Sequence, residues 1–238
     1  MGRAGQTKCQ SSGRLELSCK SDPNIIINGG HMEIILVQGL GQSADVWQPV
    51  QKQLRVPSRT FDVFAGLTPN DSLTLSMLND KLARDLQKNQ TPVILCGLSL
   101  GAVLTLMQLC HPATKIVGAL VSAPQYSPPN RLLMKAQDVM FRFQPDSAFA
   151  DLGVTKSQVR TLTDSLMQLD LRAELANVAV PTTILYGSRD WANRGAAKRL
   201  NRLMPQSQLE VLAGGHELNV TQPQAFAEAI QQVVERVK

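Results

Sequence analysis

The sequence predicts an α/β fold, a mostly parallel and doubly wound sheet with a short helical cap inserted in it. Three observations carry this reading. From Met32 onward, apolar strand-like runs alternate with amphipathic helical stretches. The runs are rich in Val, Ile and Leu without a polar face, as in strands covered on both sides. Between about 124 and 180 the alternation stops, and only helical patterns remain.

Strands are expected at 33–37, 60–64, 92–96, 116–122, 182–186 and 208–212. Helices are expected at 47–54, 73–88, 100–109, 196–204 and 222–237. The last of these places Ala225, Phe226, Ala229, Ile230 and Val233 on one face. In the inserted lobe, Leu132, Leu133, Ala136, Met140 and Phe143 share one helical face, while Val159, Leu162, Leu166 and Leu169 share another. Asp170, between the lobe and the strand that follows, reads as a helix cap.

A chain of 238 residues fits one sizeable core, so a single domain with a small inserted lobe is expected. The net charge of +5 is spread out, which argues against a nucleic-acid partner. Cys9, Cys19, Cys96 and Cys110 form no pair with zinc spacing, and they fit a reducing compartment. No stretch reaches the roughly 18 apolar residues of a membrane span, and residues 1–31 lack the apolar core of a secretory signal. A cytoplasmic protein without a membrane partner is expected.

Residues 1–31 read as a leader in one of two ways. Arg14 to Leu17 and Ile25 to Ile27 are strand-like and could open the domain as a hairpin. Alternatively Met32, at the head of a strong strand, is the true start, and Gly29-Gly30 is a translated ribosome-binding sequence or a fusion scar.

The stretch "CGLSLGA", residues 96–102, carries the chemistry. Its five-letter G-x-S-x-G core is weak evidence alone, because Gly and Ser are common. Its setting strengthens it: an apolar strand ends there and a helix opens, as a nucleophile elbow requires. Gly97 and Gly101 fit a turn so sharp that flanking side chains would collide with the neighbouring strand and helix. Ser99 is then held at a helix N-terminus, where developing negative charge is favoured.

A serine hydroxyl needs a base and an orienting acid. Of the three histidines, His31 lies in the leader and His111 reads as a capping or surface residue at a helix end. His216, in "AGGHELN", follows a strand and would emerge at the carboxyl edge of the sheet, where open α/β sheets bind ligands. Asp190, in "LYGSRDWAN", holds the equivalent place after the preceding strand, with a helix N-cap as its other reading.

These stretches resemble the α/β-hydrolase fold, in particular small serine hydrolases grouped with carboxylesterases and carrying a short helical cap. The resemblance runs from Met32 to Lys238 and rests on "QGLGQSADVW", "CGLSLGA", "VPTTILYGSRDWAN" and "AGGHELN". The chain is also similar to a bacterial subgroup with a "FRFQPDSAF" cap and a GHE-x-N histidine loop, which implies a bacterial source. The order Ser99, Asp190, His216 is that family's triad order. By the same resemblance, the backbone N–H groups of Leu40 and Leu100 form the oxyanion hole. Two stretches depart from the family: Gln38-Gly39 stands where His-Gly is common, and "FDVFAGLTPND" lacks the usual Asp-x-x-Gly-x-Gly turn.

The resemblance implies a serine hydrolase cleaving carboxylic ester bonds of small, uncharged substrates, with no cofactor and no metal. Met140, Phe143 and Trp47 are expected to line its pocket, a flexible apolar lining that favours short to medium acyl groups. Two rivals remain at this point. A lyase of the same fold would clamp substrate carboxylates with Arg142, Arg160 or Arg189, and a non-enzyme could keep the triad for ligand binding.

Overall fold

Six parallel strands build the sheet in the computed structural model, which describes residues 26–27, 30–111, 115–128 and 154–238. In chain order they are β1 (Glu33–Val37), β2 (Ser58–Phe61), β3 (Val93–Leu98), β4 (Ile116–Ser122), β5 (Thr182–Gly187) and β6 (Ser207–Leu212). Their order across the sheet is β2-β1-β3-β4-β5-β6, and every neighbouring pair is parallel. The direction of winding therefore reverses between β1 and β3. The crevice beyond the carboxyl ends of those two strands is the place where an open α/β sheet admits a ligand.

Side chains alternate along the strands and divide the core in two. Ile35 and Val37 of β1 face one side, where α2 (Leu75–Gln87), α3 (Leu100–Leu109), α4 (Lys156–Leu166), α5 (Arg172–Leu175) and α6 (Trp191–Leu203) bury their apolar stripes. Ile34 and Leu36 face the other side, which α1 (Gln48–Gln51), α7 (Leu218–Thr221) and α8 (Pro223–Val237) cover. Both faces of the four central strands are thus dry, as their continuous apolar runs require, while the edge strands β2 and β6 stay partly exposed.

Where boundaries differ from expectation, a local hydrogen bond gives the reason. β2 occupies 58–61 rather than 60–64, because Asp62 Oδ1 accepts the N–H groups of Phe64 and Ala65 at 2.9 and 3.1 Å and turns the chain. β3 runs on through Gly97 and Leu98, which pair with Val121 and Ser122 of β4. α6 starts at Trp191 instead of 196, since Asp190 caps it through the N–H of Asn193. The helix expected at 47–54 is a 3-10 turn, Ala44–Trp47, followed by the single turn of α1.

From the inserted lobe, α4 and α5 are described. A capping box of Thr155 and Gln158 starts α4. Gln158 Nε2 also donates to the carbonyls of Thr68 and Asp71 at 2.7 and 3.0 Å, and Ser165 Oγ accepts the Leu75 N–H at 3.1 Å. These bonds tie α4 to the segment before α2. Asp170 corrects an expectation: the N-cap of α5 is Leu171, and Asp170, one residue earlier, accepts the Arg172 N–H at 3.2 Å in a side-chain turn that leads into the helix without capping it. The other expected lobe helix, with Met140 and Phe143, lies outside the described residues. So does the 14–17 half of the leader; Ile26–Ile27 pairs with Gly30–His31 in an antiparallel ladder separate from the main sheet.

Cys96 is fully buried in the second core, and burial pushes its thiol far up. Cys110 is half-buried and pushed up to about 11 by burial and by the charge of Glu174. Among the described residues, no helix is long and apolar enough to cross a membrane.

Trp47 corrects an expectation. Instead of lining a pocket, its indole has no exposed surface and packs edge-on against Phe226 with ring centroids 5.3 Å apart. Trp47→Ala is therefore expected to lower stability by about 3–5 kcal/mol in urea unfolding, the usual result of emptying a buried aromatic site. The KM of the folded fraction should change little. A large KM effect with intact stability would return Trp47 to the pocket.

Candidate active site

Parallel strands deliver their following loops to one edge, so the loops after β1, β3, β5 and β6 meet beyond the carboxyl ends of the sheet. These loops carry Leu40, Ser99, Asp190 and His216. The sharpest constraint is at Ser99. Its φ is +54° and its ψ −112°, a conformation disfavoured for a residue with a side chain. The Ser99 N–H donates to the Ser122 carbonyl of β4 at 2.9 Å, and the Ser99 carbonyl accepts from Val103 at 3.0 Å. The turn is thus held from both ends.

The two flanking glycines have no room for side chains. A Cβ on Gly97 would lie 2.1 Å from the Gly101 carbonyl oxygen, and one on Gly101 would lie 2.1 Å from that of Val37. The start of α3 therefore crosses directly over the ends of β3 and β1, as the sequence predicts from the two glycines. The turn after β1 lies against the elbow too, for a Cβ on Gly39 would come within 3.4 Å of Ser99 Cβ.

Asp190 and His216 are brought together. His216 Nδ1 donates to Asp190 Oδ2 at 3.0 Å, with the Asp190 side chain buried and the imidazole about half exposed. Facing a carboxylate fixes the Nδ1–H tautomer and leaves Nε2 as the basic atom. Asp190 Oδ1 meanwhile accepts the Asn193 N–H at 3.3 Å and caps α6. The cap reading of Asp190 is thus met by Oδ1, while Oδ2 is the oxygen that faces His216.

Sequence reasoning missed Asn193. Its Nδ2 donates to both Asp190 oxygens at 2.9 and 3.0 Å and lies 3.2 Å from His216 Nδ1. Burial raises the Asp190 carboxyl, but hydrogen bonds from His216 and then Asn193 outweigh it and hold the group below its ordinary value. The signal was present as Asp-x-x-Asn at a helix start, which reads as capping alone. No hydrogen bond joins Ser99 Oγ to His216 Nε2, a contact that in hydrolytic sites often tightens only around substrate.

The Leu100 N–H opens α3, and the Leu40 N–H has no acceptor among the described residues. The neighbouring Gly39 N–H is taken by Gln42 Oε1 at 3.2 Å. Gln38, in place of the family's histidine, is fully buried and donates from Nε2 to Asp62 Oδ1 at 3.0 Å. Lys81 Nζ donates to the carbonyls of Asp62, Val63 and Ala65 at 3.0, 2.9 and 2.6 Å, and desolvation lowers its pKa. Asp62 and Lys81 therefore hold the "FDVFAGLTPND" segment without the missing glycine turn. Arg160 and Arg189 are exposed, while Arg142, Met140 and Phe143 lie outside the described residues.

Residues 34–229 match the model of the alpha/beta hydrolase family. A relative, 3-oxoadipate enol-lactonase 2 of Acinetobacter baylyi, is 34% identical over 74 residues, which are 31% of this chain and 28% of that protein. The match thus spans little more than a quarter of the relative's length. Among solved structures, the enol-lactonase from Burkholderia xenovorans superposes with a TM-score of 0.73 at 18% identity, covering 87% of this chain and 92% of that one. A thermophilic esterase from Thermogutta terrifontis gives 0.71 at 18% identity, with 87% and 91% covered. At these identities the structures establish the fold.

The Asn193 bonds make a pH-dependent prediction. A carboxyl lowered in the folded state adds stability above the unfolded value, near pH 4, and that stability is lost as pH falls through the folded value. Asn193→Ala is expected to lose about 1.5 kcal/mol at pH 7, as for a charge-assisted hydrogen bond. The deficit should shrink towards pH 3. Urea unfolding at both pH values measures it, and an equal deficit at each would contradict the assignment.

Proposed function

The chain belongs to the alpha/beta hydrolase family, and on that premise we propose that it hydrolyses carboxylic esters of small, uncharged substrates with Ser99 as nucleophile. Ser99 Oγ attacks the ester carbonyl as His216 Nε2 takes its proton, and Asp190 stabilises the imidazolium that forms. The carbonyl oxygen, now carrying the charge, sits between the N–H groups of Leu40 and Leu100. Collapse of this adduct breaks the bond to the alcohol, which leaves with the proton from His216. Water then attacks the acyl-Ser99 ester with His216 again as base, releasing the acid and the free serine.

One observation carries this reading: Ser99 is kept at φ +54° at the switch point of the sheet, on the edge where the buried Asp190 carboxylate pairs with His216 at 3.0 Å. Strain at a helix start against a packed sheet stores about 1–3 kcal/mol, which an ordinary turn would not retain. The relative named an enol-lactonase extends the substrate class to lactones, which are cyclic esters and need the same steps.

A panel of p-nitrophenyl esters and lactones tests the proposal. Ser99→Ala and His216→Ala are each expected to abolish turnover, since the two act as one unit and their losses do not add. Asp190→Asn should lower kcat by about 10²- to 10⁴-fold, because the imidazole loses its orienting acceptor while the oxyanion donors survive. A tenth of the wild-type activity in either alanine variant would overturn the assignment. Turnover confined to carboxylated substrates would move the chemistry towards a lyase.

A further inference from the structure

Gln42 joins two loops that meet at the site from opposite ends of the chain. Its side chain is buried, at 7% exposure. Oε1 accepts from the Gly39 N–H at 3.2 Å and from Asn219 Nδ2 at 3.3 Å. Nε2 donates to Glu217 Oε1 at 3.2 Å and to Asn219 Oδ1 at 3.3 Å, across 175 and 177 residues. The amide thus uses its full capacity of two acceptor and two donor positions.

Its orientation is also fixed. A backbone N–H can only donate and a carboxylate can only accept, so Gly39 and Glu217 together decide which end of the Gln42 amide faces which loop. The Gln42 N–H closes the turn by donating to the Gly39 carbonyl at 3.3 Å. That turn holds the Leu40 N–H, and it lies against Ser99, given the 3.4 Å approach at Gly39. On the other side, Glu217 directly follows His216, and Asn219 is wholly buried in α7.

We propose that Gln42 is a positioning residue that clasps the turn carrying the Leu40 N–H to the loop carrying His216, so that oxyanion donor and general base are held as one unit. The proposal rests on the reading of Leu40 and His216 given above. With the Gly39 N–H occupied by Gln42, the Leu40 N–H is left without an acceptor among the described residues, as the oxyanion role given it above requires. A shift of either loop would then misplace donor and base together, and misplacements near 1 Å can cost about 10²-fold in rate. Gln42 touches no reacting atom, so its loss should appear in kcat.

Two variants and two readouts test this. Gln42→Leu keeps the volume and removes every side-chain bond; kcat is expected to fall about 10- to 100-fold, with KM within about threefold. Gln42→Glu sets two carboxylates against each other and should also lose rate. The double variant Q42E/E217Q reverses the polarity: the carboxylate placed at position 42 still accepts the Gly39 N–H, and the amide placed at position 217 donates to that carboxylate. The bond to Asn219 Oδ1 is the one it cannot restore, so kcat should recover most of the loss seen in Gln42→Glu, which a purely volumetric role would not allow. Hydrogen exchange over 38–42 and 216–222 reads the clasp without any substrate; Gln42→Leu should speed both segments and the double variant should slow them again. Unchanged exchange, unchanged kcat in Gln42→Leu, or no recovery in a folded double variant would each overturn the proposal. A wild-type protein inactive on every ester would sink the esterase reading, while the exchange experiment would still decide the clasp.

Discussion

The site depends on how closely α3 crosses the ends of β1 and β3. No side chain fits at Gly97 or Gly101, where an added Cβ would stand 2.1 Å from a carbonyl oxygen. Because the chain must turn from strand to helix in that space, the residue between takes a positive φ, and here it is Ser99 rather than glycine. The strain is held by bonds that belong to the sheet and the helix, from the Ser99 N–H to Ser122 and from Val103 to the Ser99 carbonyl. Packing thus projects one hydroxyl beyond the sheet edge, at the point where strand order reverses.

Asp190 and His216 are fixed in a different way, through the two oxygens of one carboxylate. Asp190 caps α6 with Oδ1 and holds His216 with Oδ2, so the helix start and the imidazole are positioned by one buried carboxylate. Asn193 shares that carboxylate and helps to keep it ionised against its burial. The turn after β1 lacks the family's histidine, and its surroundings supply the organisation instead. Gln38 reaches Asp62, which with Lys81 fastens the segment after β2, and Gln42 reaches the histidine loop.

Much of this was legible in the sequence because it follows from short-range pattern. β1, β4 and α3 appear at their expected bounds, since apolar runs and the Gly-x-Ser-x-Gly turn mark them locally. Ser99, Asp190 and His216 each follow a strand, and parallel strands carry them to one edge without further information. What was not legible depends on contacts distant in sequence or on a side chain doing two things. Trp47 follows the turn after β1 in sequence, yet α8, the last helix of the chain, covers it. Gln42 looks like a loop glutamine until a segment 175 residues away closes on it. Asn193 stands in the first turn of α6, where its N–H is capped by Asp190, and only the fold shows that its amide also bonds both Asp190 oxygens.

The central claim is that this strained serine is the group that forms the covalent bond. The most direct measurement is labelling of the whole chain with a fluorophosphonate, followed by peptide mass spectrometry. One adduct is expected, on the peptide containing Ser99, formed in the wild type and absent from Ser99→Ala. Labelling should also be strongly slowed in His216→Ala, because the reagent needs the same base-assisted attack. An adduct on another residue, or a Ser99→Ala protein that labels as fast as the wild type, would contradict the claim.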